Sequence, residues 1–200
     1  ESITGLLDDE RVSIPAEAAD TAVFYSISNC QAGLAAISFG NSLIKQVVAE
    51  LSLEFPDIEN FVTLSPLPGL NRWIESQCDD PSHGHAAKAV LEGTAPDDDV
   101  RAMAARYLML AKRGDGLPID PVARFHLGNG AEIHNLHAHA DTSENGLMQS
   151  SGAMVNYLYD VKQTERNHED FALNASIAAS RHVQSLASAG LQTKPKEPAT

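Results

Sequence analysis

Apolar residues along this chain follow two rhythms. Val23-Phe24-Tyr25-Ser26-Ile27-Ser28 is a β-branched and aromatic run that predicts a mostly buried strand. A polar stretch from Asn29 to Gly33 follows it. Ile44, Val47, Val48 and Leu51 then recur at i, i+3, i+4 and i+7, which predicts a helix starting near Ser38 to Asn41 and ended by Pro56. Phe61 to Ser65 predicts a second strand, stopped by Pro66-Leu67-Pro68-Gly69. Helical spacing returns at Val100, Ala104, Tyr107, Leu108 and Ala111, with Asp97 to Asp99 complementing the helix dipole and Gly114-Asp115-Gly116 closing it. The stretch from Pro121 to Asp141, dense in His and Gly, predicts short strands or loop. Two more helices are expected, about Gly146 to Asn167 (carrying Leu147, Val155, Leu158 and Tyr159) and Ala175 to Ala189. Residues 3–20 read as a short helix and a turn, and residues 191–200 as a disordered tail behind one domain covering 1–190.

Composition narrows the function classes. The 200 residues carry 27 acidic against 14 basic side chains, a formal charge of −13, which argues against nucleic acid as a partner. An anionic ligand would need local donors, backbone N–H groups or a few placed Arg and Lys, because the overall field repels it. No run approaches the roughly 18 apolar residues of a membrane span, and no signal peptide is recognisable. Cys30 and Cys78 lie far apart without a Cys-x-x-Cys spacing, which points to a reducing cytoplasm. The chain opens on Glu1, so an upstream segment is expected.

Four constellations could carry chemistry. The strand–loop–helix unit running through Gly33, Ala35, Ala36 and Gly40 offers small residues ahead of a helix N-terminus, where unpaired N–H groups and the dipole favour a diphosphate; the same residues also make a packing turn. Ser65 sits at a strand end pinned by prolines, outside any Gly-x-Ser-x-Gly elbow, and reads equally as a serine in a turn. His126, between apolar neighbours and ahead of Gly128-Asn129-Gly130, could present an imidazole from a strand as acid or base, or serve as a structural histidine. His134, His137, His139 and Asp141 have a spacing that could ligate a divalent ion, although surface histidines in a loop have the same look.

Several segments, in one order over roughly residues 20 to 185, resemble the malonyl-CoA decarboxylase family. They are Ala22 to Ser28, Gly40 to Val48, Phe61 to Gly69, Asp120 to Gly130, Ala140 to Ser143 and Met154 to Asp160. The resemblance implies an α+β fold of the GCN5-related N-acetyltransferase type, a mixed sheet with flanking helices. It also implies a partial domain whose first strands are missing, with a sheet edge left unpaired. It puts the diphosphate of coenzyme A on Ala35, Ala36, Ile37, Ser38, Phe39, Gly40 and Asn41. The family's catalytic serine and histidine fall on Ser65 and His126, and its supporting serine and tyrosine on Ser26 and Tyr159. The resemblance also implies homo-oligomers formed through a helical N-terminal domain, which is expected to be missing from this chain. Around His137 to His139 the family usually has an Asn-Trp pair, so that wall of the pocket is expected to differ.

The chemistry that follows is decarboxylation of malonyl-CoA to acetyl-CoA and CO2, within fatty acid or malonate metabolism. The thioester carbonyl is itself the electron sink, so no metal and no separate cofactor is expected, coenzyme A being part of the substrate. The site must hold the carboxylate out of the thioester plane, stabilise the enolate and deliver one proton. His126 is expected to deliver it, with Ser65 positioning the imidazole or the carboxylate and Tyr159 orienting the ring. The rival expectations are an acyltransferase of the same fold and a catalytically silent acyl-CoA-binding module.

Overall fold

The computed structural model describes Pro15, residues 18–25 and residues 39–189, with the side chains of residues 39–43 outside that set. The first strand, β1 (Thr21–Tyr25), is followed by helix α1 (Phe39–Glu54) and strand β2 (Asn60–Pro66). Then come α2 (Leu70–Gln77), α3 (Gly84–Leu91), α4 (Asp97–Leu110) and α5 (Pro121–Gly128). Strand β3 (Glu132–His137), α6 (Glu144–Ser150), strand β4 (Met154–Leu158), α7 (Thr164–Asn174) and α8 (Arg181–Ser188) complete the order. The result is an α+β fold on a mixed four-stranded sheet ordered β1-β2-β4-β3. β1 and β2 are parallel, as a helical crossover requires, and the other pairs are antiparallel.

One face of the sheet makes the core. The period of two places Phe61, Thr63 and Ser65 of β2, and Val155 and Tyr157 of β4 with Tyr159 just beyond it, on that face, and all six are buried. α1 contributes Ile44 and Val48 to the same cluster, α4 contributes Met103 and Leu108, and α8 contributes Val183. Burial of apolar area at roughly 25 cal/mol per Å² is what holds these helices on the sheet. Among the described residues no helix is long and apolar enough to cross a membrane.

Three sequence expectations are corrected. The segment 146–167 is not one helix. Ser151 and Gly152 both take left-handed φ values, 49° and 78°, which end α6, and the chain re-enters as β4. Val155 and Leu158 satisfy helical spacing as well, but the buried positions Val155, Tyr157 and Tyr159 alternate by two, and strand pairing wins. Residues 175–180 are likewise outside a helix: Ala175, φ 50°, caps α7, and α8 starts only after Ser180, whose hydroxyl accepts from the Val183 N–H. The third correction is α5, which lies in a segment expected to be strand or loop. Asp120 caps it, its carboxylate accepting from the Ala123 N–H at 2.8 Å, and Pro121 opens it at the position where a missing N–H costs nothing. β1 is also less buried than its composition suggests. Only Ala22 and Phe24 turn to the core, Phe24 stacking on Phe61, while Val23 and Tyr25 are 44% and 49% exposed.

The expected strand end at residues 26–28, the tail at 191–200 and most of residues 3–20 lie outside the described residues.

Candidate active site

α5 is only eight residues long, and its Ala123, His126 and Leu127 point inward at i, i+3 and i+4. The helix therefore delivers an imidazole, not a third aliphatic side chain, onto the polar part of the sheet face. It ends at Asn129 and Gly130, where φ is 82° and a Cβ would run into the carbonyl of Thr164. Both ends of the helix are thus fixed, and so is the height of His126 above the sheet.

The ring is held on both nitrogens. Nε2 lies 3.2 Å from Ser65 Oγ and Nδ1 lies 2.8 Å from the Tyr159 hydroxyl. Ser65 Oγ donates to Thr63 Oγ1 at 3.0 Å, and Thr63 Oγ1 also accepts from the Tyr157 N–H at 3.2 Å. Tyr157 stacks on the imidazole, with ring centroids 4.4 Å apart and planes 19° from parallel. His126, Ser65, Thr63, Tyr157 and Tyr159 are all buried, from 0 to 5% exposed, so these bonds act in a low dielectric.

Burial sets the charge states. It pushes the His126 imidazole down to about 3, so the ring is neutral near pH 7. It raises the phenol of Tyr159 above its ordinary range, so Tyr159 is a neutral donor. A neutral ring carries one proton. With Ser65 assigned as donor to Thr63, the matching tautomer carries that proton on Nε2, toward Ser65, and Tyr159 is the donor to Nδ1. The chain Tyr159 to His126 to Ser65 to Thr63 then runs in one direction, with the ring N–H at its centre.

Support comes from behind α5. Tyr107 of α4 donates to the Asp120 carboxylate at 3.0 Å, and Asp120 is fully buried. Burial raises the Asp120 carboxyl above the usual carboxylate range, while its cap bond from Ala123 pulls the other way.

The structure thus brings together Ser65, His126 and Tyr159, three of the residues expected from the sequence. His126 arrives from a helix, not from the strand expected for it. Ser26 and Ala35 to Ser38 lie outside the described residues, and Phe39, Gly40 and Asn41 are described only as backbone, the first three positions of α1. That first turn holds no acidic residue. Thr63 and Tyr157 were missed from the sequence, and their signal was period two: each stands two residues ahead of a candidate on the same strand face. A cavity of about 440 Å³, bordered by Gly69, Trp73, Tyr107 and Pro121, touches neither Ser65 nor His126, and the hydrogen-bonded chain is the stronger guide to chemistry.

The four-member cluster does not converge. His134 pairs with Glu132, His137 with Asn156, His139 with Asp97, and Asp141 accepts from the Ser143 N–H. No group of three or more His, Cys, Asp or Glu among the described residues is placed to hold a metal ion.

Residues 1–198 match the family model of the malonyl-CoA decarboxylase C-terminal domain. Mitochondrial malonyl-CoA decarboxylase of Anser anser anser is 34% identical over 86% of this chain and 41% of its own length, and that of Rattus norvegicus is 35% identical over 82% and 40%. The crystal structure of malonyl-CoA decarboxylase from Rhodopseudomonas palustris superposes with a TM-score of 0.83 at 46% identity, covering 92% of this chain and 46% of that one. The Agrobacterium vitis structure gives 0.83 at 44% identity, over 92% and 49%. The chain thus spans about two-fifths of the length of the curated relatives it matches. By the extent of the domain match and by these identities, the chain belongs to the malonyl-CoA decarboxylase family.

Proposed function

We propose that this chain carries the decarboxylating centre that turns malonyl-CoA into acetyl-CoA and CO2, a carboxy-lyase. The observation that carries the reading is the buried hydrogen-bonded chain Tyr159–His126–Ser65–Thr63, which gives the imidazole a hydroxyl partner on each nitrogen. Loss of CO2 leaves its electron pair on the thioester as an enolate. A thioester enolate is basic enough at carbon to take a proton from a neutral imidazole, so the depressed His126 suits the task. Ser65 holds Nε2 in line, and Tyr159 fixes the tautomer. Coenzyme A enters as part of the substrate, its diphosphate at residues 35–41, of which Phe39, Gly40 and Asn41 open the acid-free first turn of α1, and no resident cofactor takes part. We assign the reaction to malonate or fatty acid metabolism in a reducing compartment, on the separation of Cys30 and Cys78.

The test is incubation with malonyl-CoA in deuterated water without an acyl acceptor. Acetyl-CoA with one deuterium in its methyl group, formed in step with CO2, is the expected result. Acyl transfer to an added amine or thiol without CO2, or binding without turnover, would overturn the reading.

A further inference from the structure

The cavity of about 440 Å³ beside Gly69, Trp73, Tyr107 and Pro121 takes no part in the chemistry derived for His126. Its volume falls in the range of about 300–1,000 Å³ typical of small-molecule sites. Pro121 opens α5 at the cavity, and His126 lies about 7.5 Å further along the helix axis. The Trp73 and Tyr107 rings, with centroids 5.7 Å apart and planes tilted by 46°, make an apolar wall. Only glycine fits beside it, since a Cβ on Gly69 would run into the Tyr107 hydroxyl.

The side-chain hydroxyls on this wall are already committed. Tyr107 donates to the Asp120 carboxylate at 3.0 Å, and Ser76 donates to the Trp73 carbonyl at 2.6 Å. Pro121 has no N–H to offer. Arg72 differs: it is exposed at the cavity, and its guanidinium makes no hydrogen bond or ion pair with any other described residue. By contrast Arg101 pairs with Asp97 and Asp98, Arg113 with Asp115 and Arg166 with Asp170. Burial and the Asp120 charge raise the Tyr107 phenol, while the Arg124 and Arg72 charges pull it the other way. The Arg72 guanidinium is therefore within electrostatic reach of the Tyr107 end of the cavity.

We propose that this cavity is a second ligand site, separate from the reacting centre, for a small organic monocarboxylate whose apolar body packs on Trp73 and Tyr107 and whose carboxylate pairs with Arg72. With the hydroxyl protons spent, the uncommitted side-chain donors on the wall are those of the guanidinium, so the polar end of the ligand has to accept. The planar fork of a guanidinium matches the two oxygens of a carboxylate. A single cation balances a single negative charge. On a chain of formal charge −13, a dicarboxylate or a phosphate dianion would carry surplus charge into a repelling field. An exposed guanidinium alone holds a carboxylate weakly, and the two rings supply the apolar contact that makes up the rest. The inference makes no use of the decarboxylase reading.

Trp73 is the only tryptophan of the chain, so its fluorescence reports on the site directly. The full chain is titrated with phenylacetate and, separately, with the uncharged phenylacetamide. Expected are a saturable change in emission with the acid, an affinity for the amide at least fivefold weaker, and a loss of at least fivefold for the acid in Arg72→Gln. Arg72→Lys, which keeps the charge and loses the fork, should fall between the two. The acid–amide comparison needs no variant, and Arg72 is exposed, so its replacement leaves the core intact. Equal affinities for acid and amide, an unchanged affinity in Arg72→Gln, or no saturable change overturns the site. Added malonyl-CoA should leave the phenylacetate affinity within twofold. If malonyl-CoA displaces phenylacetate, the cavity belongs to the substrate's own seat and the separate site falls. If the parent protein does not decarboxylate malonyl-CoA, the functional reading falls and this site stands on its own titration.

Discussion

His126 and the run His134, His137, His139 are close in sequence and opposite in physics. His126 faces inward from a helix capped at both ends, is 3% exposed, and has a partner on each ring nitrogen. The other three spread over a strand and the turn after it. The His134 and His139 side chains are 47% and 46% exposed, and each of the three bonds its own separate partner. A density of histidines draws the eye in a sequence, but chemistry needs convergence and desolvation, and only the solitary residue has them. Burial is also what pushes its imidazole down and keeps the ring neutral.

The largest break between the two regions is expected in turnover. His126→Ala should lower kcat by about 10²–10⁴, equivalent to about 3–5 kcal/mol, with little change in KM, because proton delivery exists only in the transition state. Ser65→Ala should act in the same direction, and the double variant should cost less than the sum, since the two are one hydrogen-bonded unit. Replacing His134, His137 and His139 together by Ala should leave kcat within threefold. Full turnover by His126→Ala in steady-state assays would end the assignment.

The next effect is on acid stability, and its sign follows from the shift. The folded value of His126, about 3, is below the ordinary 6.5 of the unfolded chain. Above pH 6.5 neither state binds the proton and the group contributes nothing. As pH falls below 6.5 the unfolded state takes the proton and the folded state does not, so stability is lost progressively toward pH 3. Urea unfolding of the parent and of His126→Gln at pH 7 and pH 4.5 should show the parent losing about 2–3 kcal/mol more than the variant over that interval. Asp120 titrates with the opposite sense, its stabilisation present at low pH and lost as pH rises, but it is common to both proteins and cancels in the difference. Equal losses would mean that the ring is not buried as a neutral group.

Much of this was legible beforehand. Ile44 and Val48 announced α1, Tyr107 and Leu108 announced α4, and the prolines after Ser65 marked the end of β2. The motif resemblance pointed to Ser65, His126 and Tyr159, which do meet. What failed was the length of pattern available. α5 has eight residues, too few for periodicity to outweigh a Gly-Asn-Gly ending, and its true signal was the pair Asp120-Pro121, an N-cap followed by a proline at the first helical position. β4 hid because Val155 and Leu158 fit three-residue spacing, and only the left-handed break at Ser151 and Gly152 separates it from α6. The partners of His126 on its stacking and Ser65 sides, Tyr157 and Thr63, were invisible as chemistry because a buried Tyr or Thr on a strand reads as packing. The Lys45–Glu165 pair that joins α1 to α7 is a long-range contact that no local pattern encodes.

The smallest effect belongs to His139, where two terms of similar size oppose. Its φ of 52° is left-handed, which costs a residue bearing a Cβ about 1–2 kcal/mol. The conformation is imposed from outside: the next two N–H groups, of Ala140 and Asp141, both donate to the Gly152 carbonyl, at 2.8 and 3.1 Å. Against that strain stands a half-exposed contact with the Asp97 carboxylate at 3.6 Å, worth at most about 1 kcal/mol. His139→Ala removes the pair and keeps the strain, so it should destabilise by no more than about 1 kcal/mol. His139→Gly removes both, and should be the more stable of the two variants by about 1 kcal/mol after the extra backbone entropy of glycine is counted. Both should turn over at the parental rate, and neither turnover should respond to a chelator. Thermal melts of the pair decide the stability difference. If Ala and Gly melt together, the left-handed turn is not held by its surroundings. If a chelator removes activity and zinc restores it, His134, His137 and His139 become ligands, and the contrast with His126 fails from that side.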